Sequence, residues 1–203
     1  MTSREAMLSA VRAARGDGDV PEIERAYART GSHPPGSPGA VALLVDRLSD
    51  YRALVTSVQR ADGIVGAVTD ALGEASRVLV PVGLPEGWVT DGVVDDGFAP
   101  GDLDGMDAVV TACAVACATT GTIVLDASLD QGRRAITLVP DHHVCVVRAN
   151  QVVDSVPEMM ARLDPTRPLT FISGPSATSD IELQRVEGVH GPRRLHVVVV
   201  VEG

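Results

Sequence analysis

Apolar residues along this chain fall into two rhythms. Between residues 40 and 60 they recur every three or four positions, at Val41, Leu44, Val45, Leu48, Leu54, Val55 and Val58, the spacing of a helix with one buried face. Further on they come in short runs: RVLVPV (77–82), MDAVVTA (106–112), TIVLDAS (122–128), AITLVP (135–140), HVCVVRA (143–149), LTFIS (169–173) and LHVVVVV (195–201). Runs of that length, several apolar on both faces, predict buried strands, and WVTDGVV adds a shorter one. Thr2 and Glu5 have the spacing of a reciprocal helix cap and predict a helix to about Arg15. A second short helix is expected over residues 21–29, another in DGIVGAVTDALGEA with Asp62 as its cap, and another in VPEMMARL. TGSHPPGSPG (30–39) holds three prolines and three glycines and reads as a spacer.

Strands alternating with helices predict an α/β fold with a mostly parallel sheet flanked by helices. Three closely spaced strands between residues 122 and 149 predict an antiparallel insertion in that sheet. Residues 1–39 are expected to form a helical segment and linker, and residues 40–203 the α/β domain.

Composition sharpens this picture. The 203 residues are 45% hydrophobic but only 2% aromatic, so the core must be built from Val, Leu, Ile and Ala. A net charge of −10, with arginine supplying all the positive side chains, argues against a nucleic-acid partner or an anionic membrane surface. No run approaches the ~20 apolar residues of a membrane span. The first residues lack the apolar stretch of a secretory signal, and three cysteines in no scaffold-like spacing suit a reducing compartment, so a cytoplasmic location is expected.

Three turns carry candidate chemistry. SGPSATSDIELQRVEGVHGP (173–192) packs glycines, prolines, hydroxyls, carboxylates and a histidine between two apolar runs. Ser179 and Glu182 again have capping-box spacing, which predicts a short helix starting at residues 176–179. Free amides at a helix start favour an anion, but Asp180 and Glu182 already occupy that first turn. GVHGP (188–192) places His190 between glycines, where it could be a proton donor or a plain turn residue bonded to a carbonyl. ATTGT (118–122) sets hydroxyls beside Gly121, either as an oxygen cradle or as a helix C-cap.

Metal chemistry fits poorly. Cys113 and Cys117 share a face only if their segment is helical, and no second pair completes a ligand set. His142 and His143 are adjacent on a strand and so point to opposite faces.

Taken together, SGPSATSDIE…GVHGP, DAVVTACAVACATTGTIVLD and AITLVPDHHVCVVRANQVVDSV closely resemble the LUD domain, and most nearly the lactate utilisation protein C (LutC/YkgG) family of bacteria. The resemblance runs from about residue 41 to 203. It implies a Rossmann-like sheet of the NagB/RpiA/CoA transferase type. It also implies one subunit of a system that oxidises L-lactate to pyruvate beside iron–sulfur partner proteins. The family motif marks Thr120, Gly121 and Thr122 in one turn, Gly174, Ser176, Thr178, Asp180 and Glu182 in the next, and His190, Gly191 and Pro192 in the third. His190, Asp180 and Glu182 are thereby the candidate catalytic residues; Thr120, Gly121, Thr122, Gly174, Ser176, Thr178 and Gly191 are the candidate ligand contacts. Family members commonly carry Glu where this chain has Thr119.

If the three turns lie at the C-terminal ends of parallel strands, they converge on one crevice for a small carboxylate, nucleotide or flavin-like group. Two other functions remain open at this point: a stand-alone transferase, isomerase or ligase on a phosphorylated or CoA-linked substrate, and a non-catalytic assembly factor.

Overall fold

The structure, a computed structural model, describes residues 2–16, 22–178, 186–187 and 190–202. Helix α1 (Ser3–Arg15) opens as the capping pattern predicts, with the Thr2 hydroxyl accepting from the Glu5 amide and the Glu5 carboxylate accepting from the Thr2 amide at 2.7 Å. It buries no residue. Residues 22–29 form no helix, contrary to expectation. All of them are exposed, so no packing supports a short helix that is marginal in water.

Helix α2 (Pro38–Asp50) begins inside the stretch expected to be a spacer. Ser37 caps it, and Pro38 occupies the first turn, where a missing N–H costs nothing. The helix does not run on to residue 60. Arg52 takes φ 66°, and strand β1 (Leu54–Val58) follows, because Leu-Val-Thr-Ser-Val is rich in β-branched side chains that suit a pleated surface.

The chain continues through α3 (Ile64–Leu72), β2 (Val78–Val80), β3 (Val93–Val94), α4 (Pro100–Asp104), β4 (Ala108–Thr111), β5 (Val115–Cys117) and β6 (Thr122–Leu125). After these come β7 (His142–Arg148), β8 (Val152–Val153), α5 (Val156–Ala161), β9 (Thr170–Ile172), β10 (Ala177–Thr178), β11 (Val186–Glu187) and β12 (Arg194–Val200). Asp62 does not cap α3; Gly63 stands at that position with no side-chain bond. The AITLVP run forms a 3-10 turn (Arg134–Thr137) rather than a strand. The expected helix from residue 176 is not seen in its first residues: Ala177 and Thr178 pair as a strand with Glu187 and Val186.

Six strands make one parallel sheet in the order β1-β12-β7-β4-β2-β3. The antiparallel pairs β5–β6 and β6–β9 lie in a separate sheet, β8-β5-β6-β9, in which β8 runs parallel to β5, rather than as an insertion in the first. Alternation along β7 and β12 divides the core. Cys145, Val147, Leu195, Val197 and Val199 face α2, while Val144, Val146, Val198 and Val200 face α3. Each buried aliphatic contributes about 1.5–3 kcal/mol.

The proline-rich stretch is no passive spacer. The Gly36 amide donates to the Val152 carbonyl at 2.9 Å, and the Ser32 and His33 amides donate to the buried Asp154 carboxylate.

Candidate functional site

Strand alternation sends the adjacent histidines to opposite faces of the parallel sheet. His143, on the α2 side, is 1% exposed, yet it reaches a cavity of about 270 Å³. The cavity is closed by the 3-10 turn bearing Arg134 and Thr137, by β9 and the Gly-Pro-Ser turn after it, and by His190, Gly191 and Pro192.

Two of the three expected turns meet here. The Ser176 amide donates to the Pro192 carbonyl at 2.8 Å, and the His190 amide donates to the Ser176 hydroxyl at 3.1 Å. Ser176 is thus the clasp between segments that the chain separates by a hairpin. Gly174, Ser176, His190 and Gly191 all line the cavity, and His190 is exposed. The meeting point is not the expected one. The Gly-Val-His-Gly-Pro segment leads into β12, and β12 starts opposite the first residue of β7, Arg194 against His142. The cavity therefore lies at the N-terminal ends of those two strands, where the chain enters the sheet, not at their C-terminal ends.

The Thr-Gly-Thr turn joins this assembly without lining the cavity. Thr122 Oγ1 lies 2.8 Å from Ser173 Oγ and 2.8 Å from Thr120 Oγ1, a hydroxyl relay that fastens β6 to the end of β9. Gly121 has φ 58°, and a Cβ there would stand 2.9 Å from Arg47 Cβ. Gly174 has φ 87°, and its Cβ would stand 2.7 Å from Tyr51 Cβ. Both glycines thus let a turn close against the end of α2. Thr119 gives its amide and hydroxyl to the Asp154 carbonyl, so the position that departs from the family pattern serves the β8–α5 junction. The backbone of Thr178 belongs to β10. Asp180 and Glu182 lie outside the described residues, as does the predicted Ser179–Glu182 cap.

Burial decides the charge state of the histidines. It pushes the His143 imidazole down to about 3, with a smaller push from neighbouring His142, so the ring is neutral. Its Nε2 lies 2.8 Å from Thr111 Oγ1. On the other face, burial first and the Arg194 charge second hold His142 down to about 4, and its Nε2 is buried without a hydrogen-bond partner among the described residues.

Arg134 also lines the cavity, and no carboxylate among the described residues pairs with it. One cation, one neutral imidazole and the Ser176 clasp make a site suited to a small anionic ligand. Sequence reasoning missed Arg134 and the role of His143. A lone arginine carries no pattern. His143 did carry one, since a histidine on the same strand face as Cys145 and Val147 must be buried and must find a partner.

The cysteines separate. Cys113 and Cys145 sit in the core beneath α2, and Cys117 on the opposite side of the second sheet in a core with Val124 and Met159. The AVACA segment is a strand, so the shared helical face for Cys113 and Cys117 does not arise.

Comparison with known proteins adds names to this geometry. The LUD domain family model matches residues 102–200. A protein from Deinococcus radiodurans described as lactate utilization protein C is 53% identical over 163 residues, 76% of this chain and 76% of that protein. The lactate utilization protein C of Bacillus subtilis is 31% identical over 102 residues, 45% of this chain and only 41% of that protein. Among solved structures, the crystal structure of a DUF162 family protein from Deinococcus radiodurans superposes with a TM-score of 0.68 at 43% identity, covering 80% of this chain and 96% of that one.

Proposed function

The chain belongs to the lactate utilization protein C family of LUD domain proteins, and from that premise we propose that it serves lactate oxidation as a subunit that holds a small ligand while iron–sulfur partner proteins carry the electrons. The observation that carries the ligand role is the cavity itself. Two turns over ten residues apart, which the family resemblance had marked, are clasped by Ser176 above a neutral buried imidazole and an arginine with no described counter-charge. The electron-carrying partners are favoured because the cysteines are buried in two separate cores, an arrangement unsuited to gathering a cluster. A stand-alone acyl or phosphoryl transfer is disfavoured because, among the described residues, Ser176 Oγ is bonded by the His190 amide and by no side-chain base that would activate it as a nucleophile.

Gene deletion in the native host, complemented by wild type, Arg134→Leu or His190→Ala, tests both parts. The deletion is expected to abolish growth on L-lactate, wild type to restore it, and the two variants to restore it poorly. Affinity capture of the wild-type chain is expected to retain iron–sulfur proteins. Full growth of both variants overturns the cavity assignment, and full growth of the deletion strain overturns the pathway.

A further inference from the structure

Helix α1 has an apolar face with nothing described against it. Its 13 residues bury no side chain, and Met7 and Val11 are 70% and 59% exposed. An isolated helix of that length is marginal in water, so its stability has to come from a surface it packs on. Arg4, Met7, Leu8, Val11 and Arg15 follow the spacing i, i+3, i+4, i+7 and i+11. They form one stripe, apolar in the middle, with a cation at each end about 16 Å apart. On the body, Leu129 and Val82 are the most exposed large apolar side chains among the described residues of the α/β domain, at 73% and 70%. The Gly83 amide donates to the Leu129 carbonyl at 2.8 Å and brings their two loops together. Both side chains line a second cavity, of about 360 Å³, at the C-terminal ends of β2 and β3. Arg133, also in its wall, is already matched: it donates to the Asp95 carboxylate at 2.7 and 2.8 Å and to the Phe98 carbonyl at 2.7 Å. Asp96 is exposed between Asp95 and Gly97, two residues that line the cavity. From Val78 to Gly132 the sequence holds nine carboxylates and no arginine or lysine.

We propose that this concavity is the docking site for α1 of the same chain, with the apolar stripe against Val82 and Leu129 and the arginines over the acidic surface beside it. Charge selects the occupant. Helix α1 carries three arginines and one glutamate in a chain of net charge −10, so the acidic body attracts it, whereas an anionic membrane would repel that body. Length permits the contact. Residues 16–30 join α1 to Gly31, whose amide is fixed to the Glu158 carboxylate at 3.2 Å. That tether reaches up to about 50 Å when extended, and a domain of this size has a radius of gyration of about 15 Å. A segment so tethered meets its own body at roughly millimolar effective concentration, which favours it over a second copy. The docking cavity and the anion cavity lie at opposite ends of the parallel sheet, so this inference stands apart from the ligand role.

Amide hydrogen exchange of the full chain at low salt, set beside a free peptide of residues 1–16, tests this. Helix α1 is expected to exchange roughly tenfold or more slowly in the chain than in the peptide. Met7→Gln with Val11→Gln keeps good helix formers and removes the apolar stripe, so α1 should return to the peptide's rate. Val82→Gln with Leu129→Gln should do the same from the other side, with exchange in β4, β7 and β12 unchanged because both side chains are exposed. Asp96→Arg and high salt should each speed exchange in α1. The protection should be the same at every protein concentration. Exchange of α1 at the peptide's rate in the wild-type chain overturns the proposal, as does protection that survives the Val82 and Leu129 changes. Protection that falls on dilution as a dimer dissociates makes a second copy the occupant, and protection seen only with anionic vesicles makes it a membrane; either result overturns docking on the same chain.

Discussion

Replacing Asp154 by alanine should release the segment that precedes α2. This carboxylate is 3% exposed and accepts three hydrogen bonds from that segment: the Ser32 amide at 2.5 Å, the His33 amide at 3.1 Å and His33 Nδ1 at 3.0 Å. A hydrogen bond to a charged group is worth about 1.5–3 kcal/mol, so three would reach at least about 4.5 kcal/mol if the donors stayed buried after truncation. They need not stay buried, because residues 22–31 are exposed and the segment can lift into water. The loss should therefore be about 2–3 kcal/mol, with new protease cleavage in residues 22–37. Asp154→Asn can keep an oxygen toward the two amides and present its amide group to His33 Nδ1. It should cost about 1 kcal/mol, the loss of charge assistance. Although burial works to raise the Asp154 pKa, the His33 and Ser32 amides and the His33 ring hold it below the ordinary carboxylate value. A depressed folded pKa means stability that is present above the unfolded value of 3.8 and lost as pH falls through the folded one. The gap between wild type and Asp154→Asn should thus be constant at neutral pH and close below about pH 4. Urea unfolding and limited proteolysis measure both effects. An alanine variant within about 0.5 kcal/mol of wild type, with no new cleavage, would mean that Asp154 does not hold this segment.

Gly174→Ala should cost about 2–4 kcal/mol, because φ 87° is strained for alanine and the new Cβ would meet the Tyr51 carbonyl oxygen at 2.8 Å; thermal unfolding checks this, and a stable variant with unaltered melting would contradict it. His142 and His143 are held neutral, at about 4 and about 3, against 6.5 for the free side chain. The unfolded chain therefore binds protons that the folded one refuses, and stability should fall as pH drops below 6.5, by up to about 1.4 kcal/mol per pH unit for each ring. His142→Leu removes a buried nitrogen with no described partner, so at neutral pH it should stand within about 1 kcal/mol of wild type, and below pH 6 it should be the more stable protein in urea titrations. A wild-type stability that is flat from pH 7 to 4 would show the rings are not shielded.

The strands of the parallel sheet were legible in the sequence because β4, β7 and β12 are apolar on both faces, which few other structures tolerate. Periodicity failed where two elements share one rhythm. Leu54, Val55 and Val58 continue the spacing of α2, but their β-branched content and the turn at Arg52 assign them to a strand. The AITLVP run failed for a different reason: as a 3-10 turn it buries Ile136 with only one turn of backbone, and a short apolar run does not declare its period. In the candidate site, the motif turns were visible as unusual concentrations of glycine and hydroxyls. Which turns touch was not visible, since the Ser176–His190 clasp and the approach of Gly121 and Gly174 to α2 are products of chain topology. The end of the sheet they occupy was misjudged, because sequence order does not reveal that the GVHGP turn feeds β12 from its N-terminal side.

The most direct test of the account is a crystal structure of the full chain soaked with L-lactate. It should show the carboxylate against Arg134 in the cavity lined by His143 and His190, with the Ser176–His190 clasp closed. An empty cavity at saturating lactate, or lactate bound on the α3 face of the sheet beside His142 and Arg194, would contradict it.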